Sequence, residues 1–240
     1  MKMQLKDFPV TLFQPEKGNE KEYTVIIYHG WGGRGQSFYE MAEETAKEGF
    51  NTIVPELIYH DTRSPLENPF DKKTMQKYFW ETIFKSINEF EAFTRALKLE
   101  KKKLILVGSS MGGFIASGIY AAHPEIAGLV CVNGSGSFLF TEKLFRKMDN
   151  RDFLSKAELD LFKKYDPIGK VKSNSPVLLI HGDKDTIVPI EGQKYFYDYL
   201  LQNDENSRVT FNIHNDVNHK FTSEMVDEVI EWMNQADSSL

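Results

Sequence analysis

One cysteine is all the chain carries. Cys131 has no second thiol to pair with, and its place in the apolar run from Ile126 to Val132 predicts a buried thiol suited to a reducing compartment. No apolar stretch approaches the length that spans a bilayer, and Met1–Asp7 has no apolar centre of leader length. A cytoplasmic location with no membrane partner is therefore expected. Positive charge is in deficit: 29 Lys and Arg against 35 Asp and Glu leave a formal net charge of −6, which argues against nucleic acid as a partner. No Cys/His cluster stands at metal-ligand spacing, so no metal site is expected. Repeats and low-complexity tracts are missing too.

What is present is a core and an alternating pattern. With 41% apolar residues, 240 residues can bury the core of one α/β domain, and no second domain is needed (1–240). Phe8–Phe13 reads as a first, antiparallel strand. Further strands are read at Thr24–Tyr28, Phe50–Val54, Leu104–Val107, Leu129–Val132, Val177–Ile180 and Val209–Ile213. Ser37 is expected to cap a helix running through Glu48, and Asp71–Leu97 predicts a long helix with an aromatic-rich core stripe. A last helix spans Phe221–Met233. Nearly continuous apolar strands joined by helices imply a mostly parallel sheet covered on both faces.

Chemistry is concentrated just after these strands. Gly108-Ser109-Ser110-Met111-Gly112 follows the strand at Leu104–Val107 and precedes a helix, the setting in which Gly-x-Ser-x-Gly presents a nucleophilic serine on a strained turn. The register selects Ser110, because Val107 occupies the position two before Ser109. A second glycine-rich loop, His29-Gly30-Trp31-Gly32-Gly33, follows another strand. An oxyanion needs two amide donors, and the backbone N–H groups of Met111 and Trp31 are the candidates. Beyond Val177–Ile180, Asp183 and Asp185 both offer a carboxylate to orient a base. Beyond Val209–Ile213, His214 and His219 both offer the base, with His219 in the loop before the last helix.

Four motifs in this order resemble an α/β-hydrolase over nearly the whole length. Gly-Ser-Ser-Met-Gly-Gly, the Pro55-Glu56 after a strand and Asn218-His219-Lys220 resemble small bacterial carboxylesterases of the prolyl-oligopeptidase-like, dienelactone hydrolase-related branch. The resemblance implies an α/β-hydrolase fold and the chain order Ser, Asp, His, hence Ser110, Asp185 and His219, with Asp183 left as a turn carboxylate. It also implies acyl transfer to Ser110 from a small-molecule ester with no cofactor. The same residues would serve a thioesterase, an amidase or a peptidase, and a non-catalytic receptor could keep the pocket. The oligomeric state stays open, a homodimer included.

Two segments fit the pattern less directly. Gly134–Val171 has no core strand and matches in position the insertion that caps many α/β-hydrolases. A short helical cap is expected, with Phe138 and Phe145 lining a substrate pocket, and the competing expectation is a helix pair packed on the body. The loop Ile58–Pro69 carries His60, a rival base out of chain order, and Arg63, weighed as a contact for a polar substrate group against solvated surface.

Overall fold

The computed structural model describes residues 2–4, 8–203 and 208–237. Its strands are β1 (Lys2–Gln4), β2 (Pro9–Phe13), β3 (Thr24–Tyr28), β4 (Asn51–Pro55), β5 (Leu104–Ser109), β6 (Gly128–Val132), β7 (Val177–Gly182) and β8 (Val209–His214). They form one sheet in the order β1-β2-β4-β3-β5-β6-β7-β8. β1 and β2 pair antiparallel, as do β2 and β4, and every pair from β4 to β8 is parallel. The fold is that of an α/β hydrolase.

Side chains alternate across this sheet with period two, and the two sets enter different cores. Ile26, Tyr28, Leu104, Leu106, Leu129, Cys131, Val177 and Leu179 face one core, where the helices α2 (Lys72–Leu97), α3 (Met111–Ala122), α4 (Phe138–Met148), α5 (Lys156–Tyr165) and α6 (Ile190–Asn203) contribute. Val25, Ile27, Ile105, Val107, Val130, Val132, Leu178 and Ile180 face the other, covered by α1 (Tyr39–Lys47) and α7 (Ser223–Asp237). Such two-sided burial explains why the strands read as unbroken apolar runs. Cys131 is fully buried, and burial pushes its thiol up to about 11.

Helix starts show which local signals held. Asp71 caps α2, its carboxylate accepting the Thr74 amide at 2.9 Å. Ser37 does not cap α1. It lies inside a 3₁₀ turn over Gly35–Phe38 that extends the helical path upstream, so Phe38 takes the cap position without a side-chain bond.

The insertion between β6 and β7 is α4 and α5, laid on α2. Ser155 and Glu158 form a reciprocal capping box at the start of α5, and the Asp166 carboxylate accepts the Phe138 and Leu139 amides at the start of α4. Phe162 meets Trp80 edge-on at 4.8 Å, and Tyr165 stacks on Phe84 at 4.4 Å. The Trp80 indole donates to Glu142 at 2.7 Å, and Glu142 also accepts from Arg146 and Arg151.

Connectivity locates the crevice. From β3 the chain steps outward to β4, then returns to place β5 on the opposite side of β3. The carboxyl ends of β3 and β5 flank this reversal, where ligands of open α/β sheets bind.

Candidate active site

Ser110 stands alone between β5 and α3, with φ +55° and ψ −122°. That backbone costs a non-glycine residue about 1–3 kcal/mol and persists only where its surroundings enforce it. Here the Ser110 amide donates to the Val132 carbonyl at 2.8 Å, and its own carbonyl accepts the Gly113 and Phe114 amides. The flanking glycines answer to close approach. A Cβ on Gly108 would stand 2.0 Å from the Gly112 carbonyl oxygen, and one on Gly112 would stand 2.0 Å from that of Tyr28. Strand, turn and helix can therefore pack this tightly only with glycine at both positions.

The loops after β7 and β8 converge on this serine. His219 Nε2 lies 2.8 Å from Ser110 Oγ, and His219 Nδ1 lies 2.7 Å from Asp185 Oδ2. With the carboxylate on the Nδ1 side, Nδ1–H donates to Asp185, and Nε2 is left to accept from the serine hydroxyl. Asp185 has no accessible side-chain surface, whereas His219 keeps 21% of its own. Burial alone would raise the carboxyl of Asp185. Hydrogen bonds from His181 and His219, the charge of His219 and the Val188 amide outweigh it and hold Asp185 well below the usual carboxylate range.

The glycine-rich loop after β3 lies against the same hydroxyl. A Cβ on Gly30 would meet Ser110 Cβ at 3.2 Å and Oγ at 3.6 Å. Met111 opens α3, so its amide is among those a helix leaves without an internal partner. Among the described residues, no backbone or side-chain acceptor takes the Trp31 amide. Beside the loop, Trp31, Phe79 and Phe145 form a chain of edge-to-face rings, with centroids 6.0 Å apart at both steps.

The model of the dienelactone hydrolase family matches residues 8–238. The chain belongs to the dienelactone hydrolase family. Among curated proteins, Esterase YjfP of Escherichia coli (strain K12) is 25% identical, with 97% of this chain and 96% of that protein aligned. Among solved structures, TT1662 from Thermus thermophilus superposes with a TM-score of 0.77 at 18% identity, covering 99% of this chain and 97% of that one. Esterase PE8 superposes with a TM-score of 0.67 at 18% identity, covering 94% and 97%. The two structures share the fold. Membership in the dienelactone hydrolase family makes this protein a hydrolase.

Within this family member the remaining sequence candidates separate. Asp183 accepts the Asp216 amide at 2.6 Å as a turn carboxylate, and His214 pairs with Glu228 at 3.0 Å, away from the serine. Arg63 is largely buried and paired within the protein. Its guanidinium grips Glu89 through two bonds of 2.7 and 2.8 Å and reaches the Glu56 carbonyl. His60 stands behind the Trp31 loop, where its Nε2 accepts the Gly32 amide at 3.0 Å. Phe145 is half-buried at the aromatic chain. Phe138 has no accessible surface, being packed against Trp80 and Phe114, and so backs this wall instead of lining an open pocket.

Three residues to which sequence reasoning gave no role of their own tie the site together. Asn133, at the end of β6, donates from Nδ2 to the Lys220 carbonyl at 2.7 Å and accepts the Gly182 amide at 3.0 Å, joining the acid and histidine loops. Asn218 binds both loops again, its Oδ1 accepting the Thr186 and His219 amides. His181 is fully buried, with Nε2 2.9 Å from the Val188 carbonyl and 3.2 Å from Asp185 Oδ2. Asn133 directly follows β6 and His181 lies near the end of β7, and a lone Asn or His in such a place carries no motif; Asn218 enters the sequence pattern only as the neighbour of His219. Among the described residues, no group of three or more His, Cys, Asp or Glu could hold a metal ion, and no helix is long and apolar enough to cross a membrane.

Proposed function

We propose that this hydrolase is a serine esterase that cleaves carboxylic esters of small to medium acyl chains through an acyl-enzyme. The observation that carries the reading is the unbroken hydrogen-bonded line from Asp185 through His219 to Ser110, at 2.7 and 2.8 Å. His219 Nε2 takes the hydroxyl proton as Ser110 Oγ attacks the ester carbonyl, and Asp185 stabilises the imidazolium that results. The Trp31 and Met111 amides receive the oxyanion. Collapse breaks the ester C–O bond, and the alcohol leaves with the proton from His219. Water then attacks the acyl-serine, gives its proton to the same nitrogen, and releases a carboxylic acid with Ser110 restored.

Support for an ester substrate comes from the family and from the esterase description of the full-length relative. The aromatic chain of Trp31, Phe79 and Phe145 offers an apolar wall for the acyl group, with Phe138 behind it. The test is a series of p-nitrophenyl esters from acetate to decanoate, with a matched thioester and anilide, on wild type and Ser110→Ala. Wild type turns over the esters fastest, and Ser110→Ala loses about 10³-fold or more in kcat. Activity retained in Ser110→Ala refutes the nucleophile, and a faster thioester or anilide refutes the ester class. Phe145→Ala shifts the preferred chain length. An unchanged length profile would place the acyl group elsewhere.

A further inference from the structure

We propose that His60 is a positioning residue for ester cleavage: by accepting the Gly32 amide it holds the turn that carries the Trp31 amide against Ser110. The inference rests on the reading of Ser110 as nucleophile and Trp31 as oxyanion donor.

The imidazole is locked on every side. His60 is 4% exposed, and its Nδ1–H donates to the Ile58 carbonyl at 3.0 Å, which leaves the Nε2 lone pair free to accept the Gly32 amide at 3.0 Å. Its ring meets those of Trp31 and His29 edge-on, with centroids 5.2 and 5.1 Å away. Burial, together with His29, lowers the imidazole pKa against the opposing pull of the Ile58 carbonyl and Asp61, so the neutral, accepting form prevails.

The neighbouring residue works on the same loop. Asp61 accepts the Gly35 amide with both oxygens at 3.2 and 3.3 Å, and stands 3.2 Å from His29 Nε2, outside hydrogen-bonding alignment. Two adjacent side chains thus hold two amides of the 30–35 segment. The bracket itself is stiff. Tyr59 and Asp61 have φ of +66° and +48°, the Tyr59 and Arg63 amides close turns within it, and the paired Arg63 and Glu89 anchor it to α2. Left-handed backbone at residues other than glycine marks a conformation enforced by its surroundings.

The consequence is catalytic because the turn lies so close to the hydroxyl. Gly32 itself has φ +67°, Gly33 N–H bonds back to the Gly30 carbonyl, and Gly30 rests on Ser110. Release of the Gly32 amide would let the turn relax, and an oxyanion donor acts only when preset at the position the oxygen will reach.

Three variants and one measurement on the unaltered protein test this. His60→Phe keeps a ring and removes the acceptor, His60→Gln returns an acceptor near the Nε2 position, and His60→Asn is too short to reach Gly32. For each, kcat and KM with p-nitrophenyl butyrate, the inhibition constant of a trifluoromethyl ketone and the Tm are measured. We expect His60→Phe and His60→Asn to lose about 10- to 100-fold in kcat with KM changed less than about threefold, and to weaken the ketone adduct by the same factor. His60→Gln should recover most of both. Equal activity of the Gln and Asn variants, or losses that follow Tm without weakening the adduct, overturn the proposal. In the wild-type protein, ¹⁵N NMR of the histidine rings should report His60 as the neutral Nδ1–H tautomer, and an Nε2–H tautomer overturns it whether or not the variants fold. Ser110→Ala in the same assay separates the two levels. Activity there sinks the nucleophile, whereas an inert Ser110→Ala beside an unaffected His60→Phe sinks only the role of His60.

Discussion

Around Ser110 the geometry depends on single hydrogen bonds from a few polar side chains, whereas α4 and α5 sit on α2 through stacked rings and a charged cluster around Glu142. Asn133 spans two loops with one amide group, and His219 is aligned by one carboxylate. On the insertion, Trp80, Phe84, Phe162 and Tyr165 share their packing, so no one contact determines where the helices lie. A site that must hold atoms to fractions of an ångström is made from directional bonds. A helix pair that must only stay attached is made from apolar area. Damage should therefore separate: at the strand ends it appears as lost rate, on the insertion as lost stability.

The largest expected effect is from Asp185→Asn. It leaves the fold intact and lowers kcat by about 10³- to 10⁴-fold, because the amide no longer selects the Nδ1–H tautomer of His219. Acid titration adds a second reading. A carboxyl depressed on folding stabilises the protein above the ordinary value of about 3.9, and that contribution fades as pH falls below it. Asp185 is such a group. The stability difference between wild type and Asp185→Asn, followed by chemical denaturation, should therefore shrink below about pH 4, and a difference constant down to pH 2 would contradict this account.

Asn133→Leu sharpens the comparison, since it strips partners from the buried Gly182 amide and the Lys220 carbonyl at once. Both readouts should move: about 2–6 kcal/mol of stability at about 1–3 per orphaned group, and about tenfold or more in kcat as the acid and histidine loops drift apart. Rate unchanged at reduced stability would mean that Asn218 alone suffices to hold those loops. Trp80→Phe is the smallest and the cleanest contrast. It removes the indole donor to Glu142, costs about 1–3 kcal/mol and leaves kcat/KM within about twofold. A large loss of kcat/KM there would erase the division between the two regions.

Much of this arrangement was legible in the chain because Ser110, Asp185 and His219 each stand within five residues of the end of a strand. Gly108 and Gly112 betray the elbow, and the strands before Asp185 and His219 betray their loops. The tethers were not legible. Asn133 follows Val132 as any loop residue could, and its value depends on Gly182 and Lys220, which lie 49 and 87 positions away. His60 reads in sequence as a rival base, yet only the fold reveals that it faces the Gly32 amide. The paired phenylalanines of the insertion read alike in sequence, but Phe138 enters the core while Phe145 remains half-buried, because α4 turns its first residue toward Phe114 and Trp80. Ser37 failed as a cap through a 3₁₀ turn that local composition does not distinguish from an α-helical start.

Labelling with a fluorophosphonate, followed by peptide mass spectrometry, tests the central claim most directly, because the motif offers two adjacent serines. Ser110 is aligned on His219 at 2.8 Å, and its neighbour Ser109 is buried at 9% exposure. The account predicts one adduct, on Ser110, that vanishes in His219→Ala. An adduct on Ser109, on a serine elsewhere, or none at all in active protein would contradict it.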